Sequence, residues 1–147
     1  MANIEVARLT SADSTTATAI SLLIKQLTTK EFSFTERDLA ELINNPATVL
    51  FVLRCEGDVV GMLTVGNYLS PTGRKAWIED VVVDAEFRGR KIGELLVEKA
   101  KDEAVALGAK KLYLTSNPSR KAAHALYAKC GFEVYETTLF RIASQKK

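Results

Sequence analysis

The sequence predicts a single α/β domain in which helices flank one mixed sheet. Its 147 residues, 47% of them hydrophobic and 26% charged, suit one domain with a substantial core. Short β-branched runs alternate with segments of helical period, and the second half of the chain repeats strand and helix in turn. The predicted order is β-α-α-β-β-β-α-β-α-β over residues 1–147, with a polar tail at 143–147.

The first three elements come from periodicity and capping patterns. Residues 4–9 alternate apolar and polar side chains, which predicts a strand. The capping residues at 10–13 precede a helix with an apolar face. A second helix is predicted to begin near Ser33 or Thr35, because Ser33 and Glu36 form a capping-box pattern, and to end at 44–46.

A hairpin and a loop follow. Two β-rich runs, 48–55 and 59–67, are separated by Glu56, Gly57 and Asp58, which is a hairpin signal. The polar residues 68–75 then predict a loop that leads into the next strand.

The stretch 77–96 predicts a strand, a charged turn and a helix. Ile78 and three consecutive valines form the strand, and Gly89 and Gly93 mark a tight passage into a helix that ends before Gly108. A helix N-terminus offers free backbone N–H groups and the positive end of the helix dipole. Three cations surround this turn: Arg88, Arg90 and Lys91. They make it a candidate phosphate-binding site, and the alternative is an ordinary basic turn exposed to solvent.

The C-terminal third predicts a strand, a helix and a last strand. Residues 111–115 form a short strand, and Asn117 and Pro118 suit the cap and first position of a helix over 119–130. Residues 132–142 are again β-rich and predict a final strand.

Composition excludes several classes of protein. A net charge of +2 argues against nucleic acid and membrane surfaces as partners. No apolar stretch approaches the roughly 20 residues that span a bilayer, and the N-terminus lacks a signal-peptide pattern, so we expect a cytoplasmic protein. Cys55 and Cys130 have no metal-ligand spacing and are expected to be free, buried thiols.

Two motifs resemble those of the GCN5-related N-acetyltransferases (GNAT). The segment VVVDAEFRGRKIGELL resembles the family's acyl-CoA-binding pattern, Arg/Gln-x-x-Gly-x-Gly/Ala, with Arg88 and Gly93 matching and Lys91 at the first glycine. That substitution matters only if position 91 needs a positive φ. The segment NPSRKAAHALYAKCGF resembles the family's later motif. The resemblance implies the acyl-CoA N-acyltransferase fold, acetyl-CoA as cosubstrate, an amine acceptor and no metal.

The resemblance also implies the coenzyme contacts. It assigns the pyrophosphate to the turn and helix N-terminus, and the pantetheine arm to the valine strand. Asn117, Ser119 and Arg120 are further candidate contacts, with a helix cap as the alternative for Asn117. The predicted coenzyme-binding residues are Val81, Val82, Val83, Arg88, Gly89, Arg90, Lys91, Ile92, Gly93, Glu94, Asn117, Ser119, Arg120 and Tyr127.

Acetyl transfer to an amine needs a base and an acid. An alkylamine with a pKa near 10.4 must lose a proton, and Glu79 is the candidate base because it interrupts an apolar strand. Its alternatives are a paired structural charge or a substrate positioner. Asp80 points to the opposite face of a regular strand unless a bulge intervenes. Tyr127 matches the family's general acid, with a core aromatic as the alternative. His124 is expected at the surface, and Trp77 in the core.

The acceptor is an amine that the sequence does not identify. The family's acceptor cleft corresponds to residues 28–34, 68–75 and 135–140. The leading interpretation is N-acetylation of a small molecule by a monomer or homodimer, with Glu79 or water as base and Tyr127 as acid. The alternatives are acetylation of a protein lysine or N-terminal amine, and a non-catalytic acyl-CoA sensor.

Overall fold

The computed structural model of the chain describes residues 3–89 and 91–145. Five strands and four helices occur in the described residues, together with a short 3₁₀ turn at Ala85–Phe87. In chain order they are β1 (Ile4–Arg8), α1 (Ser14–Leu27), α2 (Glu36–Asn44), β2 (Thr48–Cys55), β3 (Asp58–Ser70), β4 (Gly73–Val83), α3 (Gly93–Ala106), β5 (Leu112–Tyr113) and α4 (Lys121–Lys129).

The sheet has the order β1-β2-β3-β4-β5. The first four strands are antiparallel, and β5 joins parallel to β4, so the predicted mixed sheet is confirmed. The β4–β5 ladder contains only the pairs Ala76–Leu112 and Trp77–Tyr113. Beyond Trp77, β4 continues to Val83 without a strand partner on that side in the described part of the chain. The sheet is therefore open along this part of β4.

Two apolar cores lie on the two faces of the sheet. Helices α1 and α2 cover one face, where Leu23, Leu39 and Val52 are buried. Helices α3 and α4 cover the other, where Leu63 and Leu96 are buried. The sidedness follows from strand geometry, since alternate residues of a strand point to opposite faces.

The helix α2 begins after Thr35, which confirms the second of the two predicted starts and not the one at Ser33. Thr35 is the N-cap, and its side chain and Asp38 bond each other's backbone N–H groups. This register places Phe34 and Leu39 at the N′ and N4 positions, where both pack into the same core. The predicted Ser33–Glu36 box is wrong because that register would not give this apolar contact.

The predicted loop at 68–75 is mostly strand. β3 extends to Ser70 and β4 begins at Gly73, so only Pro71 and Thr72 form the turn. Gly73 has a φ of 117°, which glycine adopts without strain. The polar side chains that suggested a loop bond one another across this hairpin, since the Lys75 ammonium donates to the Ser70 and Thr72 hydroxyls.

The region between β5 and α4 also differs from the prediction. β5 is shorter than 111–115, and α4 begins at Lys121 rather than at 119. Asn117 does not cap α4, because its Oδ1 accepts from the backbone N–H of Ser119 at 2.9 Å and from its hydroxyl at 2.8 Å. Arg120 is the residue that precedes the helix, and its side chain makes no capping bond.

Residues 132–142 form no strand in the described structure, contrary to the prediction. Phe132 packs against the α3–α4 core, but the large apolar side chains after it are largely exposed, for example Val134 at 98% and Ile142 at 91%. Tyr135 contacts the ring of Tyr113 edge-on, but no backbone ladder joins the segment to β5. The β-rich segment 132–142 therefore pairs with no strand in the described part of the chain.

Other predictions agree with the structure. Cys55 and Cys130 are free and buried, and His124 lies at the exposed surface of α4. Among the residues described, no helix is long and apolar enough to cross a bilayer.

Candidate active site

A β-bulge in β4 determines how two carboxylates are presented. Thr64 on β3 lies opposite Glu79. Two residues earlier on β3, Met62 lies opposite Val82, which is three residues further along β4. The extra residue is absorbed at Asp80, whose φ of 52° is in the left-handed region.

After the bulge, the alternation of side chains between the two faces of the sheet is inverted along β4. Before it, Ile78 is buried on the α3–α4 face. After it, Val81 packs on that same face and Val82 packs on the α1–α2 face. In a regular strand Asp80 would share a face with Ile78 and enter the apolar core. The bulge leaves both Glu79 and Asp80 exposed instead.

Glu79 carries a carboxyl group whose ionisation is disfavoured. Partial desolvation raises its pKa above the usual value, and the neighbouring Asp80 charge raises it further. Among the ion pairs of the described residues, none includes Glu79, so nothing there supports a paired structural charge. The side chain lies beside the part of β4 that β5 leaves unpaired.

The turn after β4 is built from local hydrogen bonds. Asp84 accepts from the backbone N–H of Glu86 and begins the 3₁₀ turn. The Arg88 Nε then donates to the carbonyl oxygen of Val83 at 2.9 Å, which closes the turn on the end of β4. Gly89 follows with a φ of 80°. The predicted phosphate-binding site thus begins directly at the end of the bulged strand.

The backbone at Lys91 answers a question that the sequence left open. Its φ is 62°, so the position at which the family pattern has glycine adopts the conformation that favours glycine. The side chain is exposed. A left-handed lysine costs about 1–2 kcal/mol, and the substitution therefore carries backbone strain.

The N-terminus of α3 is not capped by a side chain. Ile92 occupies the N-cap position and makes no side-chain capping bond, so the cap residue itself leaves the first helical N–H groups without an acceptor. A Cβ on Gly93 would lie 3.3 Å from Leu126 Cδ2, which shows how closely this end approaches α4. The Glu94 carboxylate pairs with Lys129 of α4 at 2.7 Å, so it is held against the neighbouring helix.

Tyr127 lies on the opposite face of the sheet from Glu79. Its side chain is 7% exposed, and its ring meets Phe132 edge-on. Burial raises the pKa of its hydroxyl, an effect that the Arg120 charge partly offsets. The structure does not bring Glu79 and Tyr127 into contact within the sheet.

One buried polar atom in this region was missed by sequence reasoning. The Ser116 hydroxyl is buried and has no hydrogen-bond partner, which is unusual for a buried polar group. It lies just after β5, next to Asn117, whereas Asn117, Ser119 and Arg120 are exposed. A serine after a short strand carries no distinctive sequence signal, so only the structure identifies this unsatisfied group.

A groove of about 400 Å³ lies on the Glu79 face of the sheet. Gly66 leaves open space opposite Trp77, because no atom lies within 4 Å of where its Cβ would be. Trp77 is half-buried and stacks on Tyr113 at 5.0 Å, so the prediction of a core tryptophan is wrong. The groove is lined by Ala47, Gly66, Asn67, Tyr68, Trp77 and Glu79.

The predicted acceptor walls agree only in part with this groove. Tyr68 lines it, as expected from the segment 68–75. The segment 28–34 does not line it. Tyr135 reaches the neighbourhood only through its edge-on contact with Tyr113, at a ring separation of 6.1 Å.

The fold and this site define an α/β domain in which the N-terminus of α3, without a side-chain cap, follows the part of β4 that has no β5 partner. A sequence profile described as the acetyltransferase (GNAT) family matches residues 19–132. The chain therefore belongs to the GNAT family, and the resemblance seen in its motifs is confirmed.

Curated relatives match part of the chain. Glucosamine 6-phosphate N-acetyltransferase 1 of Oryza sativa subsp. japonica is 37% identical over 71 residues, which cover 48% of this chain and 41% of the rice protein. Aminoalkylphosphonate N-acetyltransferase of Salmonella typhimurium is 34% identical over 79 residues, covering 52% and 51%. The matched segments thus span about half or less of these relatives.

Solved structures match nearly the whole chain. An aminoglycoside acetyltransferase from an uncultured soil metagenomic sample superposes with a TM-score of 0.85 at 20% identity, over 97% of each chain. Glucosamine-6-phosphate N-acetyltransferase from Arabidopsis thaliana superposes with a TM-score of 0.79 at 24% identity, over 95% of this chain and 98% of that one. At these identities the likeness confirms the acyl-CoA N-acyltransferase fold.

Proposed function

We propose that the protein transfers an acetyl group from acetyl-CoA to the primary amine of a small molecule. The observation that carries the proposal is the open stretch of β4, with Glu79 at its groove side and an uncapped helix N-terminus at its end. Membership of an acetyltransferase family supports the reaction class. Relatives named for glucosamine 6-phosphate and aminoalkylphosphonates, both small amines, support the acceptor class.

The residues present fit a coenzyme with a diphosphate. The cap residue Ile92 gives the N–H groups at the start of α3 no side-chain acceptor, and Arg88 and Lys91 precede them in the described chain. Arg90, the third predicted cation, lies outside the described residues and enters this proposal from the sequence alone. The unpaired edge at 81–83 offers backbone groups to the pantetheine arm. The orphaned Ser116 hydroxyl, together with Asn117, supports a further polar contact beyond β5. In this proposal Ser119 and Arg120 also face the coenzyme.

The proposed reaction is a direct transfer. Deprotonating an alkylammonium with a pKa near 10.4 costs about 4.6 kcal/mol of free energy at pH 7. Glu79, directly or through a water, accepts its proton while the amine nitrogen bonds to the acetyl carbon and the carbon–sulfur bond breaks. Tyr127, which burial keeps protonated by raising its pKa, gives a proton to the departing sulfur and regains one from solvent.

The groove is open and large enough to hold a small acceptor. About 400 Å³ falls in the range of small-molecule sites, roughly 300–1,000 Å³. Acetylation of a protein amine remains the alternative, as does an acyl-CoA sensor without turnover. The net charge of +2 supports an enzyme without nucleic-acid or membrane partners, and in this proposal it is cytoplasmic and acts as a monomer or homodimer.

Two measurements on the full chain test the proposal. We expect acetyl-CoA to raise the melting temperature, and Arg88→Glu with Arg90→Glu to remove that rise. We also expect a library of primary amines to give free CoA with at least one small acceptor. No thermal shift would refute the coenzyme site. A thermal shift with no CoA release from any amine would favour the sensor.

A further inference from the structure

Gly66 is a glycine that the fold of β3 does not require. It lies inside the central strand of the described sheet, where glycine weakens a strand and leaves no side chain to pack. Its φ is outside the left-handed region, and a Cβ built on it would meet no described atom within 4 Å. Gly61 in the same strand is the contrast, since a Cβ there would lie 3.2 Å from Leu53 and from the Val82 carbonyl oxygen. Packing therefore explains Gly61 and leaves Gly66 without a structural reason.

The position of Gly66 places an open gap in the groove face of the sheet. Strand pairing aligns four residues in a row across β2, β3, β4 and β5: Thr48, Gly66, Trp77 and Tyr113. Directly paired residues project from the same face, so the missing side chain leaves a gap between Thr48 and Trp77. The Thr48 hydroxyl donates to the Leu42 carbonyl oxygen at 2.9 Å, which holds it at the end of α2. Since neighbouring strands are about 4.8 Å apart, β2 and β4 border the gap at a separation of about 10 Å.

The Trp77 ring turns one of its faces toward this gap. Its stack on Tyr113, with ring centroids 5.0 Å apart and an interplanar angle of 29°, directs one ring face toward β5. The opposite ring face is therefore directed toward β3 and Gly66. A ligand ring stacked on that face would lie about 4.5–5 Å away, which is also the spacing between β4 and β3. A side chain at position 66 would occupy the same space.

We propose that Gly66 and Trp77 select an acceptor that carries a ring, which stacks on Trp77 above Gly66 while the amine lies at Glu79. The inference rests on the proposed function and adds the residues that bind the body of the acceptor. Glu79 is the diagonal neighbour of Gly66 across β3 and β4, so their Cα atoms are about 7–8 Å apart. The ring and the amine therefore belong to one small molecule and are joined directly or by a short linker.

The shared chemistry of the ligand is a ring with a flat, apolar face. An aromatic ring and a sugar ring both offer such a face to an indole. Tyr68 supports this choice, because it lies two residues along β3 from Gly66, on the same face, and lines the groove with a second aromatic side chain. The experiment below includes one amine of each kind.

Binding of reference amines to the full chain measures the predicted preference. Phenethylamine and glucosamine carry rings, and ethylamine and ethanolamine are their ring-free counterparts. Trp77 is the only tryptophan and lines the groove, so its fluorescence reports binding without turnover. We expect at least one ring-bearing amine to bind at least tenfold more tightly than its ring-free counterpart, and the same order in kcat/KM.

Filling the gap tests Gly66 directly. Gly66→Ala and Gly66→Val should keep or raise the melting temperature, because both residues favour a strand more than glycine does. The acetyl-CoA thermal shift should not change in either variant. We expect Gly66→Val to lower kcat/KM for the preferred ring-bearing amine at least tenfold, mainly through KM, and to leave ring-free amines within twofold. Gly66→Ala should have the same effect to a smaller degree.

Matched variants separate stacking from a general effect on the sheet. Trp77→Leu removes the aromatic face and should abolish the preference for a ring, whereas Trp77→Phe should retain at least a threefold preference. Leu69→Thr changes an exposed side chain of β3 that projects from the opposite face of the sheet, and it should alter no amine.

Equal affinity of the parent protein for ring-bearing and ring-free amines would overturn the inference. Equal effects of Gly66→Val on both kinds of amine would also overturn it, as would loss of the acetyl-CoA shift, since the gap would then belong to the coenzyme site. Release of CoA from any amine would leave the proposed function intact in the first two cases. Absence of CoA release from every amine of the library would refute the proposed function, and the inference with it. A larger loss for phenethylamine identifies an aromatic ring and a larger loss for glucosamine a sugar ring, and either result supports the inference.

Discussion

At the scale of single residues, Asp80 sets the surroundings of Glu79 in two ways. Its left-handed backbone forms the bulge that turns Glu79 and itself out of the core. Its charge then adds to desolvation in raising the pKa of Glu79. Asp80 therefore influences both the position and the ionisation of the proposed base, although desolvation is the larger cause of the raised pKa.

Asp80→Asn should shift the acidic limb of the kcat/KM profile to lower pH. Glu79 accepts a proton only when ionised, so activity falls as the pH drops through its raised pKa. Removing the neighbouring negative charge lowers that pKa, and the limb follows it downward. Asparagine tolerates positive φ, so the bulge and the melting temperature should be retained.

The control for this experiment is Glu79→Gln measured with the same acceptor. It should lower kcat/KM by roughly 10²–10⁴-fold and abolish the carboxyl limb. The amine's own titration is common to all three proteins and cancels in the comparison. A limb that stays in place in Asp80→Asn, or that persists in Glu79→Gln, would remove Glu79 from the role of base.

Tyr127→Phe should lower turnover more than it weakens coenzyme binding. The ring is buried and packs on Phe132, and phenylalanine preserves that contact. Only the hydroxyl is lost, and with it the proposed proton donor to the leaving sulfur. Single-turnover rates and acetyl-CoA affinity measured by titration check this. Unchanged turnover would return Tyr127 to a purely structural role.

At the scale of elements, the turn between β4 and α3 combines strain with free donors. Lys91 holds a left-handed backbone, and the following Ile92 leaves the helix N-terminus uncapped. Strained backbone is retained where the surrounding structure requires it, often at ligand sites. The conformation at position 91, more than its side chain, is therefore expected to matter for the coenzyme.

Lys91→Gly should retain the acetyl-CoA thermal shift and raise stability slightly. It relieves about 1–2 kcal/mol of left-handed strain and adds about 0.5–1 kcal/mol of unfolded-state entropy, so a net gain below about 1.5 kcal/mol is expected. Urea unfolding and thermal melting with and without acetyl-CoA measure both effects.

The matched comparison for this variant lies within the same helix. Lys99→Gly, in the interior of α3, should instead cost about 1 kcal/mol. Loss of the acetyl-CoA shift in Lys91→Gly would mean that the lysine side chain, and not the backbone, holds the phosphates.

Sequence periodicity predicted most elements because helical and strand patterns repeat over many residues. Local sequence patterns also predicted the capping of α1 near Asp13 and the hairpin at Glu56 and Gly57. The bulge at Asp80 was not, since one inserted residue changes no composition and IEDVVV reads as a regular strand. The strand conformation at the hairpin within residues 68–75 was predicted as a loop, because the polar side chains that indicated a loop form hydrogen bonds with one another across the hairpin.

At the scale of the whole molecule, the two cores are complete without the C-terminal segment. The largest fully buried side chains all lie between Leu23 and Val97. Residues 134–142 contribute large apolar side chains that remain mostly exposed, and the sheet ends at the two-residue β5. Stability should therefore depend on the two faces of the sheet and little on this segment.

Phe140→Ser with Ile142→Ser should change the free energy of unfolding by no more than about 0.5 kcal/mol. The two side chains are 87% and 91% exposed, so folding removes little of their apolar surface from water. Leu63→Ala is the contrast, because Leu63 is fully buried and its truncation should cost about 2–5 kcal/mol. Guanidinium unfolding followed by far-UV circular dichroism measures all three proteins. A cost for the serine pair that approaches that of Leu63→Ala would mean that 132–142 packs as a further strand in solution. The β-rich pattern would then have been the better guide to this edge of the sheet, and the wall of the groove beside Tyr113 would include it.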